Sequence, residues 1–476
     1  MREKIKKYLL VILAITGSTL LSTGQENSWT DQVGAKSHPA ADQTLWVNNF
    51  GAVNNGLILS TKAIQWAIDS CAASGGGRVA FQPGIYLTGA IYLKSNVELY
   101  IDQDVELKGS IGLDGYPEID TRVAGIEMEW PSAIINVLNQ NNVSISGKGT
   151  IHAQGRYHWE RYWKLREDYT PKGLRWAADY DCKRVRTILV SESEHVTIEN
   201  LTLKQAGFWT VHLLYSSNVT VRGIIIQNNI EGYGPSTDGI DIDSSTKILI
   251  EDCDIDCNDD NFCLKAGRDA DGLRVNRPTE YVVIRNCISR HGGGLISFGS
   301  ETSGGIRHIL VNNLEAFGTT TAIRFKSAMT RGGEISNVEI GNIKMYGVKN
   351  PVEVTLNWNP SYSYATINDQ TDSIPAHWVK LLEKVEPVEL GIPVFRDVYI
   401  HNITASEAVT AFNVSGIKES YIENFTWKDV SIGCEKPGKI LFTKNWQFNG
   451  VNIISSNGEL LNMKNNLKMR SKNSNI

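Results

Sequence analysis

A short strand pattern recurs along most of the chain, and it constrains the fold more than any other feature. Each copy carries aliphatic residues at alternate positions and closes on Asn, Asp or Gly. The copies end at Gly147, Asn200, Gly223, Asp252, Asn286, Asn313, Asn342, Asn402 and Asn424. With the two longest gaps counted as two units each, the spacing is 22 to 34 residues. Alternation with a period of two predicts short β-strands, and the closing residues tolerate a left-handed bend.

Repetition at this period, with almost no helical periodicity, predicts an all-β chain folded as a parallel β-solenoid. A propeller blade of four strands needs about 40 to 50 residues, so a propeller fits the spacing less well. Asn side chains at equivalent corners can stack from one coil to the next and satisfy backbone groups. We therefore expect one elongated domain whose corners are marked by Asn.

The two ends of such a domain need caps, because a solenoid exposes its core there. After a lead-in over residues 25–44, the segment from Ser60 and Thr61 carries apolar residues at helical spacing. It predicts a short amphipathic N-terminal capping helix with Ser60 as the capping residue. We expect the solenoid over residues 45–455, an inserted recognition loop over residues 350–395, and a frayed polar tail over residues 456–476.

The first 24 residues predict a cleavable signal peptide. Lys4, Lys6 and Lys7 precede a short apolar run, and small residues follow it, which is the order of a secretory signal. The run is too short to span a bilayer. We expect a periplasmic or secreted monomer without membrane attachment after cleavage, although an uncleaved anchor is an alternative.

The charge of the chain excludes one class of partner. The net charge is −5, and removal of residues 1–24 leaves −8 because four basic side chains and one acidic side chain are lost. Nucleic-acid binding requires clustered Lys and Arg and a high isoelectric point. We expect no nucleic-acid partner.

Seven cysteines in a chain of this length do not predict a disulfide scaffold. Cys253, Cys257 and Cys263 lie close in sequence, but no His follows at ligand spacing. Buried apolar cysteines are the favoured interpretation, and a metal site is the alternative.

Two acidic clusters stand one coil apart. The sequence TDGID contains Asp238 and Asp241, and NDDNFCLKAG contains Asp259 and Asp260. The 21 residues between Asp238 and Asp259 predict neighbouring rungs, about 4.8 Å apart. Crowding raises the pKa of one carboxyl, which can then act as an acid while its neighbours stay ionised as bases. Glycoside hydrolysis needs such a pair.

Two cations follow on a later strand. Arg324 and Lys326 alternate in AIRFKS and therefore point to the same face. Such groups bind carboxylates through charge-assisted hydrogen bonds, which suggests an anionic substrate. The alternative is that they neutralise Asp259 and Asp260 structurally.

These motifs, followed in order by GSE and the Arg-x-Lys pair, resemble the polygalacturonases of glycoside hydrolase family 28, from the FGAVNNG region to about residue 345. The resemblance implies a right-handed parallel β-helix that hydrolyses α-galacturonosyl bonds with inversion, without metal or cofactor, on an acidic polysaccharide or oligosaccharide. It implies that Asp259 is the general acid and that Asp238 and Asp260 activate water. Arg324 and Lys326 resemble the pair that holds the galacturonate carboxylate.

The chain departs from the family pattern at two positions. Ser236 stands where the family usually has Asn, and Gly293 stands where the family has His, six residues before Gly299. Rhamnogalacturonan hydrolases of the family also lack that His, so the galacturonic acid–rhamnose linkage is the first expectation. His291 reaching the site from an altered loop is an alternative. The other functions considered are exo- or endo-polygalacturonase, a calcium-dependent pectate lyase and a non-catalytic binding solenoid.

Overall fold

The computed structural model describes residues 29–367 and 374–476. The segment expected to be a signal peptide lies outside these residues. Within the described part of the chain, no helix is long and apolar enough to cross a membrane.

Among the described residues, thirty-two strands form one continuous set of parallel ladders, and two more form a separate antiparallel hairpin. The strands of the first coils are β1 (Thr44–Trp46), β2 (Asn55–Leu59), β3 (Gly77–Ala80), β4 (Gly84–Thr88), β5 (Ile91–Tyr92), β6 (Val97–Ile101), β7 (Val105–Gly109), β8 (Glu118–Val123), β9 (Ile126–Pro131), β10 (Ile135–Leu138), β11 (Asn141–Gly147) and β12 (Thr150–His152). Those of the central coils are β13 (Ile188–Ser191), β14 (Glu194–Glu199), β15 (Thr202–Lys204), β16 (Val211–Leu214), β17 (Ser217–Arg222), β18 (Ile225–Gln227), β19 (Ile240–Asp243), β20 (Thr246–Glu251), β21 (Asp254–Asp256), β22 (Phe262–Lys265), β23 (Thr279–Ser289) and β24 (Gly294–Phe298). Those of the last coils are β25 (Ile306–Phe317), β26 (Thr321–Lys326), β27 (Glu334–Tyr346), β28 (Asn350–Thr355), β29 (Val394–Ser415), β30 (Ile422–Leu441), β31 (Thr443–Lys444), β32 (Gln447–Ser455), β33 (Asn462–Lys464) and β34 (Arg470–Lys472).

Each strand pairs in parallel with the equivalent strand of the next coil. One ladder runs β10, β13, β16, β19, β22, β24, β26 and β28, and we call it the site ladder. Aliphatic and aromatic side chains from all faces fill the interior, where Phe298 and Phe325 stack on consecutive coils with ring centroids 4.2 Å apart. The sequence prediction of a parallel solenoid is confirmed.

The predicted corner residues adopt the expected left-handed backbone. Asn200, Asn286, Asn313, Asn342 and Asn402 all have φ between 54° and 59°. Their amides form ladders, since Asn313 donates to Asn286 at 2.8 Å and Asn402 donates to Asn342 at 3.1 Å. The Asn repeat therefore marks the bends of successive coils.

The N-terminal cap is the helix α1 (Thr61–Ala73), which buries Ile64, Ala67, Ile68 and Cys71 as the sequence predicts. Ser60 occupies the N-cap position of this helix. Ser60 makes no side-chain cap, because its hydroxyl accepts a hydrogen bond from the backbone N–H of Val53 and donates to the carbonyl of that residue.

Two expected boundaries shift. Residues 350–355 belong to strand β28, so the inserted loop begins after Thr355 and ends before β29 at Val394. The polar tail, expected to fray, adds β33 and β34 to the ladders, where they pair with β30 and β32. Polar strands can extend a solenoid because backbone pairing does not require apolar side chains.

All seven cysteines are buried with free thiols, as expected for apolar buried cysteines.

Helical insertions interrupt the succession of coils. The helices after α1 are α2 (Arg156–Tyr169), α3 (Ala178–Asp181), α4 (Asp269–Val275), α5 (Pro360–Ser363) and α6 (Ala376–Leu382). Short 3-10 helices lie at Thr30–Gln32, Val47–Phe50, Arg175–Ala177 and Val388–Gly391.

The insertions and the hairpin share a second hydrophobic core, separate from the interior of the coils. It contains Val123, Ala124, Ile126, Trp130, Trp176, Ala177, Tyr180, Phe208, Trp209, Trp378 and Leu381.

Candidate active site

The predicted site residues meet on the outer face of the site ladder. Side chains alternate along each strand, so every second residue of β19, β22, β24 and β26 faces outward. The register places Asp241, Cys263, Ser297 and Arg324 in one row across these strands. Lys326, two residues after Arg324, shares its face as the sequence predicts.

The two acidic clusters lie at the start of adjacent rungs. Ile240 pairs with Phe262, and the N–H of Gly239 donates to the carbonyl of Asp260 at 2.9 Å. Because this coil has 22 residues, Asp238 stands opposite Asp260, and Asp259 lies one residue earlier. Asp238, Asp259 and Asp260 all line the same pocket, so the three predicted carboxyls are brought together.

Both predicted cations contact one of these carboxyls. Lys326 Nζ donates to Asp260 Oδ2 at 2.7 Å, and Arg324 Nη1 donates to Oδ1 at 3.3 Å. Both cations also lie over the ring of Trp358, at 4.5 Å for Lys326 Nζ and 5.4 Å for the Arg324 guanidinium. The two cations therefore form ion pairs with Asp260. This is the structural neutralisation that the sequence offered as an alternative to substrate binding.

The three carboxyls differ in their proton affinity. Burial alone would raise the pKa of Asp260, but Lys326 and Arg324 hold that pKa well below its usual range. Burial and the negative charge of Asp260 raise the pKa of Asp259. Burial and the charge of Asp241 raise the pKa of Asp238 well above its usual range. A carboxyl with a lowered pKa, Asp260, beside one with a raised pKa, Asp259, is the arrangement that a base and an acid need.

A buried lysine that sequence reasoning missed lies among the acids. Lys265 Nζ is 3.6 Å from Asp238, 3.5 Å from Asp241 and 3.4 Å from Glu301. Its ammonium also lies 4.6 Å from the ring centre of Trp209. The alternation of Cys263 and Lys265 along β22 was the available signal, since it points Lys265 to the acidic face. Lys265 is the counter-charge that allows these acids to be packed together.

A second group of buried charges lies behind Asp241. Arg122 donates to Asp243 at 2.9 Å, and Arg186 contacts His212 at 2.9 Å. Burial lowers the pKa of Arg186 to about 9 and that of His212 to about 4. Sequence reasoning missed this group because Arg122 and Arg186 come from segments that carry no motif.

The carboxyls lie in a pocket whose walls come from several insertions. Trp358 and Tyr362 come from the inserted loop, and Arg175 and Asp179 come from the segment between β12 and β13. The loop expected to serve recognition thus contributes to the pocket lining.

The backbone at Gly293 faces the site. A Cβ at this position would lie 3.3 Å from Asp260 Oδ1 and 3.5 Å from Arg324 Nη1. His291 does not replace the missing side chain, because its Nδ1 pairs with Asp256 at 3.0 Å and its side chain is 57% exposed. His291 is also not among the pocket-lining residues. The alternative role for His291 is therefore wrong.

In the described part of the chain, ligand atoms of Asp238, Asp260 and Cys263 lie close enough to share a cation. The ammonium of Lys326 already contacts Asp260, and that of Lys265 lies 3.6 Å from Asp238. These two charges would oppose a divalent cation at the same carboxyls.

We expect the Lys326→Met variant to need higher pH for activity. Loss of the ammonium removes the main charge that lowers the pKa of Asp260, so this pKa rises and the carboxylate is protonated at a higher pH. The acidic limb of the kcat/KM profile should move up by about one pH unit. Lys344→Met is the matched control, since Lys344 is exposed and pairs only with Glu315 among the described residues. An unchanged limb in Lys326→Met would contradict the pairing.

A parallel β-helix with an acid–base group of carboxyls in a pocket is typical of polysaccharide hydrolases. The family model "Glycosyl hydrolases family 28" matches residues 86–465. The chain belongs to this family.

Curated relatives are similar over much of the chain. A "Probable polygalacturonase" of Vitis vinifera is 32% identical over 63% of this chain and 60% of its own length. The chain therefore spans less than two thirds of that relative. The "Exo-poly-alpha-D-galacturonosidase" of Dickeya chrysanthemi is 25% identical over 88% of this chain and 72% of its own length.

A solved structure shares the fold. The exopolygalacturonase of Thermotoga maritima superposes with a TM-score of 0.73 at 24% identity, over 93% of this chain and 96% of that protein. The fold class is a right-handed parallel β-helix with a short N-terminal capping helix, as the sequence resemblance implied.

Proposed function

We propose that the chain is an inverting glycoside hydrolase that removes a terminal galacturonate from pectic chains. The observation that carries this proposal is the set of three carboxyls with divided proton affinity inside a pocket. Asp259 donates a proton to the leaving oxygen, and Asp260, whose pKa is held low by Lys326 and Arg324, accepts a proton from the attacking water. Asp238, whose pKa is raised by burial, orients this water by a hydrogen bond. Substrate carboxylates are held by Arg324 and Lys326, which exchange part of their contact with Asp260 for the substrate.

The pocket favours action at a chain end. An endo-acting enzyme needs a groove that is open on both sides of the cleaved bond, whereas insertions supply walls here. Cleavage at the anomeric carbon of the enclosed sugar releases it as a monomer, so that sugar is the non-reducing end of the chain. The name of the Dickeya relative supports an exo mode.

The galacturonic acid–rhamnose linkage of rhamnogalacturonan is the proposed substrate bond. Gly293 supports it, because no side chain at this position competes with the substrate for Asp260 Oδ1 and Arg324 Nη1, which would lie 3.3 Å and 3.5 Å from a Cβ. Homogalacturonan is the second candidate, and the polygalacturonase names of the relatives favour it.

The test is to incubate the protein with homogalacturonan and rhamnogalacturonan oligosaccharides of defined length and to identify the first product. We expect monomeric galacturonate, and faster release from a galacturonic acid–rhamnose end. Proton NMR should show that the first product anomer is inverted. Mixed oligomers would contradict the exo mode. An unsaturated product that absorbs in the ultraviolet and is lost with EDTA would indicate a lyase instead.

The surroundings of Gly293 can be tested without substrate. We expect Gly293→Ala to lose much less stability than Gly292→Ala, because the closest atom to the new methyl group is the side-chain oxygen Oδ1 of Asp260 at 3.3 Å and the nearest backbone atom, the carbonyl carbon of Asp259, is 3.5 Å away. Gly292→Ala is the contrasting variant: Gly292 has φ of +112°, and a Cβ there would lie 2.4 Å from the carbonyl of Asp259. Strain of this kind costs on the order of 1–3 kcal/mol. Thermal melting of both variants compares them, and equal destabilisation would contradict this difference.

We propose further that the protein acts as a monomer in the periplasm or outside the cell. The charge and hydrophobicity pattern of residues 1–24 supports export. N-terminal sequencing of the protein from its native cells tests cleavage, and light scattering tests the monomer.

A further inference from the structure

A further cation lines the pocket, on a helical insertion rather than on the coils. Arg175 starts the 3-10 helix Arg175–Ala177, directly before α3. Its side chain is 15% exposed and contributes to the same pocket as Asp238 and Asp259. The family motifs place no role on this residue.

The cations that the coils place at the site already contact carboxylates. Lys326 and Arg324 both contact Asp260, and Lys265 lies among three acids. None of these cations is uncommitted before substrate binds.

The insertion has a surplus of positive charge. Asp179 accepts from Arg175 at 2.9 Å and from the fully buried Arg184 at 2.8 Å. Ion pairs of Arg175 and Arg184 with any other acid are absent among the described residues. One carboxylate thus serves two guanidinium groups, and a net charge of about +1 remains at the pocket wall.

The guanidinium of Arg175 is fixed by one hydrogen bond to Asp179, and its other N–H donors can bind a ligand. Its Nη1 contacts Asp179, its plane lies 5.1 Å from the ring centre of Tyr362, and its buried Nε has no hydrogen-bond partner within the described residues. A guanidinium offers five N–H donors in a planar fork that suits carboxylates.

Ser236 connects this group to the catalytic strand. Its hydroxyl donates to Asp179 at 2.9 Å, and it lies two residues before Asp238. The short side chain at this position therefore supports Asp179 and leaves the pocket beside Arg175 open, which gives the family departure at Ser236 a structural reason.

We propose that Arg175 joins Arg324 and Lys326 in binding the carboxylate of the terminal galacturonate and so selects an acidic sugar in the pocket. The proposal rests on the proposed exo-acting function and adds a specificity-determining residue to it. Arg175 contacts the enclosed sugar. Asp179 holds the Arg175 side chain in position, and Arg184 and Ser236 in turn hold Asp179.

The experiment compares binding of free D-galacturonate and D-galactose by calorimetry, using the full-length protein and its variants. The two sugars differ at C6, where galactose has no carboxylate. We expect Arg175→Gln to weaken galacturonate binding by about 10- to 100-fold, the size of a lost hydrogen bond to a charged group, and to leave galactose binding unchanged. Arg156→Gln is the matched control, because Arg156 lies on the same insertion with its side chain 63% exposed. It should bind both sugars as the unmodified protein does.

Arg175→Lys guards against misfolding of the Gln variant, since it keeps the charge but loses the fork. The galacturonate affinity of Arg175→Lys should fall between that of the unmodified protein and that of Arg175→Gln. Equal weakening for both sugars, or no weakening for galacturonate, would overturn the proposal, as would an unmodified protein that does not prefer galacturonate. If selective binding depends on Arg175 but no oligosaccharide is hydrolysed, the binding site stands and the proposed reaction fails.

Discussion

Asp259→Asn should lose hydrolysis of pectic oligosaccharides by at least about 10²- to 10⁴-fold, the contribution of a positioned general acid. The amide cannot donate the proton that the departing sugar oxygen needs. The fold should be preserved, because the hydrogen bond that Asp259 Oδ1 accepts from the N–H of Asp260 can be accepted equally by an Asn oxygen. Galacturonate binding should also persist, because Arg324 and Lys326, the cations proposed to hold the substrate carboxylate, donate hydrogen bonds to Asp260 and not to Asp259 among the described residues.

A substrate with a leaving group that needs no proton separates the acid from the bases. Galacturonosyl fluoride should be hydrolysed by Asp259→Asn at a much smaller deficit than oligosaccharides, whereas Asp260→Asn should lose activity on both because it impairs water activation. Asp256→Asn is the control. Asp256 lies three residues earlier, pairs with His291 and is not among the pocket-lining residues. Full oligosaccharide hydrolysis by Asp259→Asn would falsify the acid assignment.

Lys265→Met should destabilise the fold strongly at neutral pH. Methionine fills a similar volume but leaves Asp238, Asp241 and Glu301 without the ammonium that separates their charges. Breaking a buried ion pair by removal of one partner costs about 3–5 kcal/mol in the free energy of unfolding. This is the largest stability effect that we expect from a single side chain of the site.

The loss in the free energy of unfolding of Lys265→Met should be larger at high pH than at low pH. Without Lys265 the pKa values of Asp238 and Asp241, which burial already raises above those of the unfolded chain, rise further. Glu301, whose pKa is lowered by several cations, loses the largest of these charges. The folded state then binds protons more readily, so the loss is full at pH above those raised pKa values and shrinks as the pH falls through them. Urea unfolding at pH 7 and pH 5 measures this. Lys344→Met should unfold like the unmodified protein at both pH values, and a pH-independent deficit in Lys265→Met would contradict the charge argument.

The coil architecture was readable because its signal is local and repeated. Alternating aliphatic residues and a bend residue such as Asn313 recur in each coil, and backbone pairing between neighbours follows directly from that repetition. The same regularity predicted that Arg324 and Lys326 share one face. The offset of a particular coil is not repeated in this way, which is why Asp238 was aligned with Asp259 instead of Asp260.

The pocket walls could not be read from the sequence. Arg175 and Trp358 are 183 positions apart and meet only because separate insertions pack against each other over the site ladder. Lys265 was overlooked for a related reason: its three partners lie on the coils before and after its own, so no short motif contains the cluster. Long-range packing of non-repeated segments carries no periodic signal.

The second hydrophobic core is separate from the interior of the coils that position the acidic residues. Trp130, Trp176 and Trp378 belong to three different insertions, and they pack on one another outside the stack of coils. Ala124, Phe208 and Trp209 of this cluster also line the pocket, so we expect a substitution in the cluster to alter the shape of the pocket while the ladders keep the acids in register. The choice of substrate and the chemistry of bond cleavage can therefore change independently during evolution.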